Sequence, residues 1–150
     1  MTEERKARDE LVKQYAPSVE KLSAYLPWLM EKSGASASTD YTPEGGKTIT
    51  FPVYDSMLLK FIKDAESTCF INRNYPYVYS RNRIRTEADE LRFIEGVDIM
   101  NIADLGGILS RYVIEGRTKG VMWSKGVTGG VYLRVIEKAR DLIEFYSRKQ

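Results

Sequence analysis

Histidine is absent from this sequence, and that absence removes more chemistry than any other feature of the composition. Without an imidazole there is no Ser-His-Asp or Cys-His nucleophile system, and no His-ligated zinc, copper or iron. Chemistry carried by carboxylates alone survives. Cysteine occurs once, at Cys69, which excludes an internal disulfide and a thiolate zinc site; the default reading is a buried, inert thiol in a reducing compartment. Long apolar runs are missing too, and no stretch approaches the roughly 18 residues of a membrane span. The opening residues MTEERKARDE are charged throughout, unlike a secretory signal. The expectation is a cytoplasmic chain with no membrane contact, no metal and no cofactor.

What is present belongs to an ordinary globular protein. The 150 residues are 43% hydrophobic and 29% charged, a size at which a single domain buries about two-thirds of its unfolded surface. The net charge of +2 is unevenly spread. Residues 1–71 hold 9 basic and 11 acidic side chains, residues 72–85 hold 4 and 0, and residues 86–150 hold 10 and 10. All the excess falls in one short segment, whereas a duplex-coating protein carries a broader basic field.

Periodicity predicts a mainly α (α+β) fold, a compact bundle of about five helices with a small two- or three-stranded β element around residues 48–51 and 69–80. Residues 1–150 read as a single domain, with a helical arm at 1–32, a flexible loop at 33–47 and a core at 48–147. Pro17 and Pro27 are expected to kink or divide the arm. A helix carrying Met57, Leu58, Phe61, Ile62 and Ala65 on one face should be capped near Asp55. Cys69–Ile71 is a candidate strand. Thr86 and Asp89 mark a helix start, with the stop at Gly96. A helix with Ile102, Leu105, Ile108, Leu109, Tyr112 and Val113 inward should end at Gly116. Gly106 and Gly107 inside it point to a neighbour in close approach. The last helix has a core stripe of Tyr132, Val135, Ile136, Ala139, Leu142, Ile143 and Tyr146.

Three motifs fail. GGKT at Gly45–Thr48 lacks the first glycine of a phosphate loop, since Tyr41 stands there, and no helix pattern follows. The E-x-K match at Glu4–Lys6 precedes any acidic partner a nuclease core would need. A helix-turn-helix reading of 86–115 would present Asn101, Asp104, Ser110 and Arg111 outward, a thin recognition face no more basic than acidic.

Two groups of candidate site residues remain. If residues 73–85 are extended, Arg73, Tyr75, Tyr77, Tyr79, Arg81, Arg83 and Arg85 share one face. Arginine forks grip phosphate and tyrosine rings stack on bases, so that face suits single-stranded nucleic acid or a phosphorylated ligand. The same pattern also fits an edge strand packed on helices, with the arginines paired to Glu87, Asp89 and Glu90, or an arginine-rich helix start. The second group, Arg117, Lys119, Trp123 and Lys125, lies in a glycine-rich stretch at Gly116–Gly130 before the last helix. It reads either as an anion or partner site or as a loop whose tryptophan closes the core.

The strings FPVYD at Phe51–Asp55, RNYPYVYSRNRIRT at Arg73–Thr86, GGILSRYVIEGRTKG at Gly106–Gly120, and MW with the following GVTGGVYL resemble a family of small bacterial proteins, a domain of unknown function met mainly in gut Firmicutes. The resemblance spans about residues 50–146 and implies a bacterial cytoplasmic setting. No activity, cofactor or site residue comes with it. The function expected is therefore a non-enzymatic binding module using the Tyr/Arg face, with nucleic acid or a protein as partner; a regulatory or anti-defence protein of a mobile element would belong to this class. The alternatives are a metal-independent ribonuclease-like enzyme, and a structural protein whose Tyr/Arg segment serves packing or oligomerisation.

Overall fold

The protein is described by a computed structural model, which covers residues 3–32, 38–41, 51–54 and 56–147. Its described residues form eight α-helices: α1 (Glu3–Ser23), α2 (Leu26–Lys32), α3 (Ser56–Glu66), α4 (Tyr75–Arg81), α5 (Glu87–Gly96), α6 (Ile102–Glu115), α7 (Val121–Thr128) and α8 (Val131–Ser147). No strand occurs among residues 3–32 or 56–147. The expected α+β class and five-helix bundle are corrected to an all-helical body. Residues 69–80, expected to supply strand, turn after α3 and then form α4. Residues 48–50 and the expected cap at Asp55 lie outside the described residues. The backbones of Ser38–Tyr41 and Phe51–Tyr54 pair antiparallel as a separate two-stranded ribbon, with Ser38 opposite Tyr54 and Tyr41 opposite Phe51.

Two of the uncounted helices have clear causes, one local and one tertiary. Pro17 sits inside α1 without ending it. The chain turns instead at Ala24 and Tyr25, and Pro27 takes the second position of α2, where an N–H would have had no intrahelical partner. Helix α7 forms where glycine spacing suggested a loop. Its Gly126 lies against the ring of Tyr132, which a Cβ would overlap, so tertiary packing decides the conformation there.

Helices α6 and α8 are the centre of the body. Helix α8 packs on α1, α2, α5, α6 and α7, while α6 also packs on α3 and α4. Of the predicted α8 stripe, all but Tyr146 are buried; Tyr146 is half-buried and its hydroxyl donates to Asp98 at 2.8 Å. Edge-on and tilted rings, Tyr25 on Phe61, Phe61 on Tyr132 and Tyr112 on Tyr132, link α1–α2 to α3, α8 and α6. Among the described residues no helix is long and apolar enough to cross a membrane. The predicted start of α5 is present in full: Thr86 accepts from the Asp89 N–H, and Asp89 accepts from the Thr86 N–H.

The glycines of α6 fix what leans on it. A Cβ at Gly106 would overlap the Phe70 carbonyl, and one at Gly107 would lie 2.8 Å from a Val78 methyl. Beside them, Ser110 accepts the Asn72 N–H at 2.7 Å and donates to the Gly106 carbonyl at 2.6 Å. Asp104 and Ser110, expected to face outward, are both buried. The chain from Phe70 to Val78 therefore lies flat on the small-residue face of α6. Gly107→Ala should cost about 1–3 kcal/mol of unfolding free energy by overpacking. Adding Val78→Ala should recover part of that loss in a double-mutant cycle; Gly106→Ala, which meets backbone, should gain no such relief.

Candidate functional site

Residues 75–81 are helical because several local features agree. Asn72 Oδ1 accepts the Asn74 N–H at 2.9 Å and turns the chain, and Pro76 stands at the start of the helix with its φ preset. Val78 then seats on Gly107. In a helix, positions two apart point to nearly opposite sides, so the alternating tyrosines and arginines cannot share a face. Extended backbone over 73–85 is corrected, and with it the single Tyr/Arg face.

Tyr79 turns inward. Its hydroxyl donates to Glu90 of α5, a residue with no exposed surface. The same carboxylate accepts from Tyr112 Oη at 2.6 Å and from Arg111 Nη1 at 3.2 Å. Arg111 also lies over the Tyr79 ring, 5.0 Å from its centroid, and reaches Glu115 at 3.6 Å. A buried carboxylate is costly unless paired and hydrogen-bonded, and here three donors saturate it. Burial, then the bond to Glu90, pushes both the Tyr79 and Tyr112 phenols well up.

Tyr77 and Arg81 take the opposite side. Tyr77 is 55% exposed, and Arg81 lies over its ring at 5.2 Å while pairing with Asp104 of α6. Asn82 Nδ2 adds a bond to Asp104 at 3.4 Å and one to the Val78 carbonyl at 2.9 Å. Arg83 ends the helix with φ 56°. Its N–H donates to the Ser80 carbonyl and the Ile84 N–H donates to that of Tyr79, the paired bonds of a Schellman cap with arginine where glycine is usual. Arg85 is exposed.

Arg73 and Tyr75 go elsewhere again. With Ile71 and Pro76 they form one wall of a cleft of about 550 Å³; Val113 and Ile114 of α6, then Arg117, form another, and Glu66 at the end of α3 closes the edge. Arg117 pairs with Glu66 across that edge. The Tyr75 phenol is raised by burial first and by the Glu115 carboxylate second. The cleft thus joins residues from the two sequence candidates, Arg73 and Tyr75 from one and Arg117 from the other.

The remaining members of the second group do not line this cleft. Trp123 is half-buried against Gly116, and its Nε1 donates to the Val113 carbonyl at 2.9 Å. Lys119 and Lys125 are exposed. Gly116 does end α6, but with an ordinary φ of −64°, so its missing Cβ serves the indole rather than a left-handed cap. Sequence reasoning missed Glu66, Ile71, Val113 and Ile114 as cleft residues and Glu90, Arg111 and Tyr112 as a network. The signals available were the inward placing of Tyr112 and Val113 on the predicted core helix and the pairing of arginines with Glu90. Comparisons with known protein families, curated proteins and solved structures find no match, so function has to be read from the site.

Two measurements test this geometry. A phenol whose ionisation is raised by folding contributes stability in full below the unfolded value of 10.0, and that contribution is lost as pH climbs, because the unfolded phenol releases its proton first. Above about pH 10 the wild type should lose about 1.4 kcal/mol more per pH unit than Tyr79→Phe; parallel curves would show a phenol free to ionise. Arg83→Gly should raise unfolding free energy by up to about 1 kcal/mol in urea titrations, since glycine takes positive φ without strain.

Proposed function

We propose that this protein is a non-enzymatic binding module whose recognition surface is the cleft of Arg73, Tyr75 and Arg117, and that its partner is single-stranded nucleic acid. The observation that carries this reading is the convergence on one apolar-floored cleft of two arginines and a tyrosine from segments about 40 residues apart. An aromatic ring beside cations suits a strand whose bases are unstacked and whose phosphates are within reach, whereas a duplex offers neither.

Two arginines beside the cleft are engaged within the protein, while Arg83 and Arg85 are exposed away from its lining. Arg81 is neutralised by Asp104, and Arg111 by Glu90 and Glu115. The phenols of Tyr75, Tyr79 and Tyr112 are all raised. A general base needs the phenolate at working pH, and a raised value works against it, which supports binding over a ribonuclease-like reaction.

Fluorescence anisotropy with labelled single-stranded DNA and RNA, at low and moderate salt, tests the reading. Binding should weaken steeply as salt rises, by about one phosphate's worth of slope less in Arg73→Ala or Arg117→Ala, and should be unchanged in Arg134→Ala, a surface arginine paired with Glu95. No salt-sensitive binding of either strand would sink it.

A further inference from the structure

Glu66 and Arg117 are 51 positions apart in sequence and meet at the edge of the cleft. Neither is driven together by burial, since the Arg117 side chain is 62% exposed and that of Glu66 28%. Exposed pairs of this kind contribute little to stability. Their effect on a ligand is larger. A carboxylate on a guanidinium occupies the position that a phosphate oxygen would take, because both anions use the same planar fork of N–H donors. Arg73, on the opposite wall, has no carboxylate among the residues lining the cleft other than Glu66.

We infer that the cleft takes one nucleoside phosphate unit, its base against Tyr75 and its phosphate displacing the Glu66 carboxylate from Arg117, so that Glu66 sets the affinity as a built-in competitor. The inference rests on the nucleic-acid reading above for its choice of ligand. Charge complementarity argues for the phosphate: of the three charged groups lining the cleft, two are arginines, and withdrawal of Glu66 leaves both facing the ligand. Size argues for a single unit. A cleft of about 550 Å³ falls within the roughly 300–1,000 Å³ of small-molecule sites. Shape argues for a base, because Ile71, Pro76, Val113 and Ile114 are apolar and the Tyr75 ring lines the cleft with them, a surface on which a base can stack. A free nucleotide and one nucleotide of a strand present the same chemistry here.

Calorimetric titration of the full chain with uridine and adenosine, their 5′-monophosphates, inorganic phosphate and short single-stranded oligonucleotides separates these sources. The monophosphates should bind more tightly than the nucleosides. Glu66→Gln, which keeps the shape and removes the charge, should tighten monophosphate binding about fivefold to tenfold. Arg117→Ala should abolish that gain when combined with it, while Arg117→Lys should keep part of it. Equal affinity for nucleoside and nucleotide, or indifference to Glu66→Gln in a protein whose melting temperature is unchanged, would overturn the inference. Oligonucleotide binding insensitive to Glu66 alone would overturn the inference and keep the cleft as the nucleic-acid surface, whereas insensitivity to Tyr75 and Arg117 as well would overturn both. Monophosphate binding with the Glu66 effect but no oligonucleotide binding would uphold the inference and remove the strand as partner. Binding of acidic peptides in place of nucleotides would overturn both.

Discussion

The missing Cβ atoms of Gly106 and Gly107 determine how near the chain from Phe70 to Val78 can come to α6, and the candidate site follows from that distance. With the Phe70 carbonyl and the Val78 methyls occupying the space of two side chains, α4 is pressed onto a helix that is itself buried along most of its length. Interiors packed at crystal density transmit such a constraint rather than absorb it. Tyr75 and Tyr79, one turn apart on α4, therefore come to lie beside Arg111, Tyr112 and Glu115 of α6, and the wall carrying Ile71 and Arg73 stands a fixed distance from Val113 and Ile114. Ser110 completes the contact by taking the Asn72 N–H, which would otherwise be left against apolar surface.

Glu90 supplies the electrostatic side of the same contact. A carboxylate with no exposure would be costly to bury alone, and here Tyr79, Tyr112 and Arg111 all donate to it. This ties α4, α5 and α6 into one unit, and it consumes a tyrosine and an arginine that would otherwise be free to meet a ligand. Removing a single donor leaves the charge partly uncompensated, so the network is stiffer than its individual bonds suggest. Glu115 extends it toward the cleft by pairing with Arg111 and by raising the Tyr75 phenol.

The parts of this arrangement that were legible in the sequence are those set by local rules or by a long uniform pattern. The capping box at Thr86 and Asp89, the inward face of α6 and the stripe of α8 all belong to that kind, and so does the suspicion that paired glycines inside a helix mark a close neighbour. Residues 73–85 were misread because their period of two is a real pattern with a different cause. Tyrosine has strand propensity and alternation is the strand signal, but the three tyrosines Tyr75, Tyr77 and Tyr79 are too few positions to separate period two from 3.6, and contact with Gly107 outweighs the propensity. Asp104 and Ser110 were placed outward for being polar. They are buried because Arg81 and Asn82 reach the first, and because the second bonds backbone on both sides. Arg73, Tyr75 and Arg117 were named as candidates, but their meeting in one cleft was not legible, since its residues come from 66–76 and 113–117 and no short-range rule relates them.

The distribution of positive charge is where sequence and structure differ most in consequence. Four arginines in fourteen residues read as one basic ribbon, yet the fold sends them to four environments: Arg81 to Asp104, Arg83 to a strained helix end, Arg85 to the entrance of α5, and Arg73 to the cleft. Local charge density is thus a poor guide once a short helix intervenes, because each step of one residue rotates the side chain by about 100°. Arg117, which the sequence assigned to a different group, lines the same cleft as Arg73 and with Glu66 makes the one ion pair among its lining residues. An anion entering there meets a single carboxylate to displace, whereas at Arg111 it would have to displace two, one of them fully buried. That difference in cost is what favours Arg73 and Arg117 over Arg111 in the proposed reading, with the tyrosine-arginine helix beside them as the scaffold that positions Tyr75.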